Sequence, residues 1–223
     1  MENSKSDLPR IVDQPILSGA NQIESVSSLF SGKKDYEIWK EFKRGNRAAL
    51  IYIYNTHINE LYSYANQFTR DKALIKDAVQ DVFVRLFEKS KNLSDTDSIK
   101  FYLYRSIKRE VTYLIKKARK SEDRLLTHKG LDFEYESSIE EILIDRQIKE
   151  QNIKRIRKAA NNLHKRQREI IFYHFFEGFS IKQIKELMNF NSLQATHNLL
   201  NRALNQLKTI YAISLMIMTH VHF

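Results

Sequence analysis

The 223-residue sequence contains no cysteine, two prolines and five glycines. Without cysteine there are no disulfides and no thiolate metal sites, a composition that fits a reducing compartment. Both prolines, Pro9 and Pro15, stand near the start, and beyond them only Gly19, Gly32, Gly45, Gly130 and Gly178 interrupt the chain. A many-stranded sheet needs a breaker at nearly every turn, so this scarcity predicts long helices and an all-α fold. No basic segment followed by an apolar core stands near the N-terminus, so no secretory leader is read there. The most apolar stretch, Ile210 to Phe223, is shorter than the ~20 residues that span a bilayer. These absences predict a cytoplasmic protein without membrane insertion. There is also no HExxH pair, nucleophile elbow or glycine-rich phosphate loop beside the seven histidines. No catalytic residue, cofactor or metal is expected.

What the chain has is positive charge. Its 37 lysines and arginines outnumber 27 acidic residues, for a formal net charge of +10 and a pI near 9.6. A polyanionic partner follows, either nucleic acid or acidic membrane, with plain solubility as the bland alternative. Hydrophobic residues make up 42% of the chain, enough for packed cores.

The pattern divides the chain into two small helical domains. Residues 1–34 are polar and aperiodic and read as a mobile tail, with a short helix around Ile23 to Phe30. Residues 35–120 read as four helices. The first carries Trp39 and Phe42 and stops at Gly45. The second, from Arg47 to Thr69, places Leu50, Ile51, Tyr54, Ile58, Leu61, Tyr62 and Ala65 on one face. The third runs from Ala73 to Lys89 and the fourth from Ile99 to Lys120. Residues 121–150 are rich in Asp and Glu and read as an acidic linker. Residues 151–213 are helical and basic again, and residues 214–223 form an apolar extension. That extension reads either as a last helix docked on its own domain or as an exposed surface.

Within 151–213 the spacing predicts a helix-turn-helix. Ser180 and Gln183 form a capping box, in which each side chain takes an orphan backbone N–H of the other. Asn189 suits the left-handed turn that ends this helix, and Ser192 or Asn191 caps the next. Ala195, Leu199, Leu200, Ala203 and Leu207 form the second helix's core face. Gln194, Thr196, His197, Asn198, Asn201 and Arg202 are assigned to its outward face. Amide, imidazole and guanidinium groups match the donors and acceptors of base edges in a major groove, and Lys182 beside them matches phosphate. An ordinary helical hairpin with a solvated face is the alternative.

The helix from Ile99 to Lys120 sets Tyr104, Ile107, Val111, Leu114 and Ile115 against a side with Arg105, Lys108, Arg109, Lys116, Arg119 and Lys120. Glu110 interrupts the cations. Phe101, Tyr102 and Tyr104 at its start offer stacking surfaces for unstacked bases, although core packing is the simpler role for any one of them. On the third helix, Asp77, Gln80, Asp81 and Val84 share one strip. In a basic protein this suggests a positively charged protein partner, while from spacing alone routine solubilisation is the better reading.

AVQDVFVRLF followed by FYLYRSIKREVTYLIKKARK resembles region 2 of the extracytoplasmic-function sigma factors. REIIFYHFFEGFSIKQIKELMNFNSLQATHNLLNRALNQLK resembles their region 4. The two stand in the family's order, across an acidic connection, and cover about Asp35 to Tyr211. The resemblance implies a factor that binds core RNA polymerase and directs initiation at promoter DNA. It implies polymerase contacts at Asp77, Gln80, Asp81 and Val84. It implies capture of a flipped −10 base by the loop from Lys91 to Ile99 and the start of the next helix, at Phe101 and Tyr102. Flipping costs a few kcal/mol of unstacking, which pocket contacts must offset. Arg105, Lys108, Arg109 and Lys116 would lie along the −10 element. Lys182, Ser192, Gln194, Thr196, His197, Asn198, Asn201 and Arg202 would meet the −35 element. An inhibitory anti-sigma protein is an implied partner. Where the family often has asparagine in the basic helix, this chain has Arg109 or Glu110. A DNA-binding regulator with no hold on polymerase is the alternative, and only the strip around Asp81 separates the two readings.

Overall fold

The computed structural model describes residues 26–122 and 163–220, with side chains through 118 in the first stretch and 209 in the second. The fold is all-α, with no strand among the described residues. The chain divides into two compact units, Met1–Thr127 and His128–Phe223. Most of the expected tail (1–25), nearly all of the expected linker (123–150) and residues 151–162 lie outside the described residues. So do the side chains of the apolar extension.

The first unit holds α1 (Asp35–Lys43), α2 (Arg47–Ala65), α3 (Lys72–Lys89), a 3-10 turn (Ser90–Asn92) and α4 (Ile99–Glu122), after a helical turn over residues 26–30. Capping sets the boundaries. Glu37 takes the backbone N–H of Lys34 at 2.9 Å, ahead of α1. Asn46 accepts from Ala48 N, and Asp71 accepts from Ala73 N and Leu74 N, each side chain satisfying donors that the first helical turn leaves orphaned. Gly45 sits at φ 90°, a left-handed value that a side chain would resist, and there α1 turns into α2.

The core is aromatic and aliphatic. Trp39, Tyr64 and Tyr104 are each at most 2% exposed, and the Tyr64 and Tyr104 rings stack 4.3 Å apart. Helix α2 buries Ala49, Ile53, Leu61, Tyr64 and Ala65, while Leu50, Ile51, Tyr54, Ile58 and Tyr62 are only half-buried. The inward face is therefore rotated from the expected one. Helix α2 packs against α1, α3 and α4 together, so its apolar residues spread around much of the cylinder and the period-3.6 pattern loses its phase.

The second unit holds α5 (Lys165–Ile171), a π-helical turn (Phe172–Phe176), α6 (Ile181–Leu187) and α7 (Leu193–His220). Leu163, Ile170, Ile171, Tyr173, Ile184, Leu187, Leu200 and Ala203 form its core. The capping box at Ser180 is present: Gln183 N donates to Ser180 Oγ, and Ser180 N donates to Gln183 Oε1. Asn189 has φ 53°, the left-handed turn expected between α6 and α7. Of the two residues expected to cap α7, Ser192 takes the N–H of Ala195 at 3.1 Å.

Candidate nucleic-acid interface

Helix α4 separates its residues cleanly by side. Leu103, Tyr104, Ile107, Val111 and Ile115 are buried. At 3.6 residues per turn, Tyr102, Arg105, Arg109 and Lys116 fall on the opposite side, with Phe101 and Lys108 on the flank between the two. Of these, Arg105, Arg109 and Lys116 are exposed, and Phe101, Tyr102 and Lys108 are half-buried. Lys108 leans over the Phe68 ring, 5.9 Å from its centroid. Tyr104 belongs to the core, whereas Phe101 and Tyr102 retain accessible ring surface. The same side carries Tyr113, 56% exposed, an aromatic that no motif in the sequence singles out. Arg119 and Lys120 have side chains outside the described residues.

Glu110, the acidic interruption, does not join this side. It is 6% exposed and forms an ion pair with Arg85 of α3. A buried carboxylate survives only with a partner, and here a half-exposed guanidinium supplies one. The basic side is thereby relieved of its one expected anion.

The loop between α3 and α4 is fastened to α1 at three points. Trp39 Nε1 donates to the Ser94 carbonyl at 2.9 Å. Ile99 N, an orphan donor at the start of α4, donates to Asp35 Oδ2 at 2.8 Å. Lys43 pairs with Asp95. Ser98 completes the helix start by accepting from Phe101 N at 3.2 Å. The Trp39 ring lies 4.8 Å from that of Tyr102, which links the loop's anchor to the first turn of α4. These ties cross 55 and 64 residues of sequence, and no local pattern marks them.

Lys100, also in the first turn of α4, lies 3.6 Å from Glu60, and His57 lies 3.5 Å from the same carboxylate oxygen. These separations are ionic rather than hydrogen-bonding in length. His57, and Lys100 after it, hold the Glu60 carboxyl below its ordinary range against the opposing push of burial.

On α3, Asp77 and Asp81 are exposed, and Gln80 and Val84 are half-buried. The four form one strip beside the buried Ile75, Ala78, Val79 and Val82. This leaves two carboxylates exposed to solvent beside an amide and an aliphatic side chain.

In the second unit Lys182, Ser192, Gln194, His197, Asn198, Asn201 and Arg202 are exposed. Gln194 Nε2 donates to Asn198 Oδ1 at 3.0 Å, one turn along α7. Thr196 departs from the expected outward face. It is fully buried, and its hydroxyl donates to the Ser192 carbonyl at 3.1 Å. With its methyl inward and its hydroxyl spent on the helix's own backbone, Thr196 continues the buried row of Leu200 and Ala203 and offers nothing to a base edge. Arg166 also has a structural role. It donates to the Met188 carbonyl at 3.2 Å and covers the Phe190 ring at 4.8 Å, bracing the turn between α6 and α7.

The family model of Sigma-70 region 2 matches residues 53–121, the span from within α2 through nearly all of α4. No curated protein matches the chain in sequence. Among solved structures, CnrH in complex with the cytosolic domain of CnrY is 16% identical, covering 80% of this chain and 97% of that one, with a TM-score of 0.50. The sigma factor RpoE in complex with the anti-sigma factor NepR from Bartonella quintana is 18% identical, covering 72% and 94%, with a TM-score of 0.47. Residues 53–121 thus match Sigma-70 region 2, and the chain shares its helical fold with CnrH over most of its length.

Proposed function

We propose that this protein binds core RNA polymerase in the cytoplasm and directs initiation at promoters, without catalytic chemistry of its own. The first unit reads the −10 element and the second reads the −35 element. The observation that carries the reading is the division of α4: an exposed row of Arg105, Arg109 and Lys116 backs onto a buried row, inside the segment that matches Sigma-70 region 2. Cations along such a row follow a phosphate backbone and release its counterions. Phe101 and Tyr102 supply ring surface beside a loop held at both ends, the arrangement a flipped base needs to be captured instead of returning to its stack.

In the second unit, Gln194, His197, Asn198, Asn201 and Arg202 form the reading row in a major groove. Lys182 and Ser192 meet phosphate at its edge. On α3, Asp77, Gln80, Asp81 and Val84 form the polymerase contact, a solvent-facing acidic strip on a protein of net positive charge. An inhibitory protein partner is part of the proposal, supported by the fold shared with CnrH, which was solved with the cytosolic domain of CnrY.

The deciding experiment is retention by immobilised core polymerase of the wild-type chain and Asp81→Arg. Wild type should be retained and the variant lost, because the substitution inverts one charge of the strip without touching the core. Equal retention of both would return the protein to the class of DNA-binding regulators.

A further inference from the structure

A cavity of about 170 Å3 opens between α3 and α4, at the edge of the row of cations on α4. From α4 it is lined by Tyr102, Ser106, Arg109 and Glu110, and from α3 by Arg85 and Lys89 among others. Three cations face one anion there, and that anion is buried and already paired with Arg85. The pairing has a geometric consequence. The Glu110 carboxylate fixes a guanidinium whose side chain remains 46% exposed, so Arg85 stands ready at the cavity wall instead of wandering in solvent. A guanidinium carries five N–H donors in a planar fork, and one carboxylate does not exhaust them. A fixed fork, a second arginine and a flexible ammonium around one concavity match a tetrahedral oxyanion bearing several acceptors, which is a phosphate.

The source of that phosphate follows from continuity. Tyr102 and Arg109 belong both to this cavity and to the exposed side of α4. A strand lying along α4 therefore passes the cavity mouth. We infer that the groove between α3 and α4 seats one backbone phosphate of the DNA strand tracked by α4, extending the interface onto Arg85 and Lys89 of α3. The inference rests on the promoter-binding reading above and adds to it a contact surface on a second helix.

Salt dependence of DNA binding by the full chain tests it. Each phosphate neutralised on a duplex contributes about 0.9 to the slope of log affinity against log salt. Lys89→Ala should flatten that slope by about this amount between roughly 50 and 200 mM salt and weaken binding evenly across sequences. Lys72→Ala makes the same charge change at the far end of α3 and should leave the slope at the wild-type value. Arg85→Gln combined with Glu110→Gln keeps the net charge and removes the buried pair as a unit, so it tests the guanidinium without stranding a carboxylate. It should lower affinity while helical circular dichroism is retained. Equal slopes for the Lys89 and Lys72 variants, or undiminished affinity of the double variant, would overturn the groove assignment alone. Absence of any wild-type binding at low salt would bring down the promoter-binding reading with it. If inorganic phosphate added by itself abolishes the difference between wild type and Lys89→Ala, the groove prefers a free anion and the assignment to a strand fails.

Discussion

Replacing Trp39 by Phe would test how the first unit positions the loop between α3 and α4. Trp39 is 1% exposed, lies against Phe42 and Tyr102 with ring centroids 5.2 and 4.8 Å away, and donates to the Ser94 carbonyl. Phe keeps one aromatic ring and loses the indole N–H and part of the buried volume. The lost hydrogen bond is worth about 1 kcal/mol net, since the exposed Ser94 can turn its carbonyl to water. The smaller ring leaves space unfilled in a packed interior, which adds roughly 1–2 kcal/mol. The Lys43–Asp95 pair cannot compensate, because the Asp95 side chain is 91% exposed and such pairs contribute about 0–1 kcal/mol. The total, about 2–3 kcal/mol, corresponds to a fall in Tm of the order of 10 °C for a unit of this size. Denaturant unfolding gives the energy, and amide hydrogen exchange locates it. The loop from Lys91 to Ile99 should lose protection first, led by the Ile99 amide bonded to Asp35. A variant as stable as wild type, with loop amides equally protected, would refute the idea that the indole anchors this loop.

Other perturbations follow from single interactions. Ser180→Ala removes half of the capping box before α6 and should cost about 1 kcal/mol in thermal unfolding of the second unit. Thr196→Val should leave DNA affinity unchanged, because the side chain is buried, whereas Asn201→Ala on the exposed side should lower it by about 1–3 kcal/mol at one promoter position. Glu60 has a lowered pKa, so its contribution to stability is complete above the ordinary carboxylate pKa of about 4.3 and declines as pH falls through its folded value. Glu60→Gln should accordingly reduce the dependence of Tm on pH in that acid range.

Much of the fold is legible in the sequence because the punctuation is local. Gly45, the caps at Ser180 and Ser192, and the left-handed Asn189 stand where helices begin and end, and each acts through its immediate neighbours. Burial is less legible where one pattern admits two phases. Helix α2 is apolar nearly all round because helices pack on several of its sides, so sequence does not separate its inward residues from its flanks. Thr196 is ambiguous because a β-branched residue with a hydroxyl can face either way. Its position one turn before Leu200 decides the matter only once the helix is set against its neighbours. Glu110 reads as a surface charge because its partner, Arg85, is 25 residues away on another helix. The ties from α1 to the loop, and the π-helical turn at Phe172–Phe176, leave no periodic trace at all. Residue types on helical faces are therefore readable from the chain, and the residues that hold those faces in place are not.

The central claim is tested most directly by run-off transcription with core polymerase, the purified chain and a library of promoter sequences at low salt. Transcripts of defined start are expected from a subset of templates, absent without the chain and lost with Asp81→Arg. No transcript from any template, with the chain folded and binding DNA, would contradict the claim.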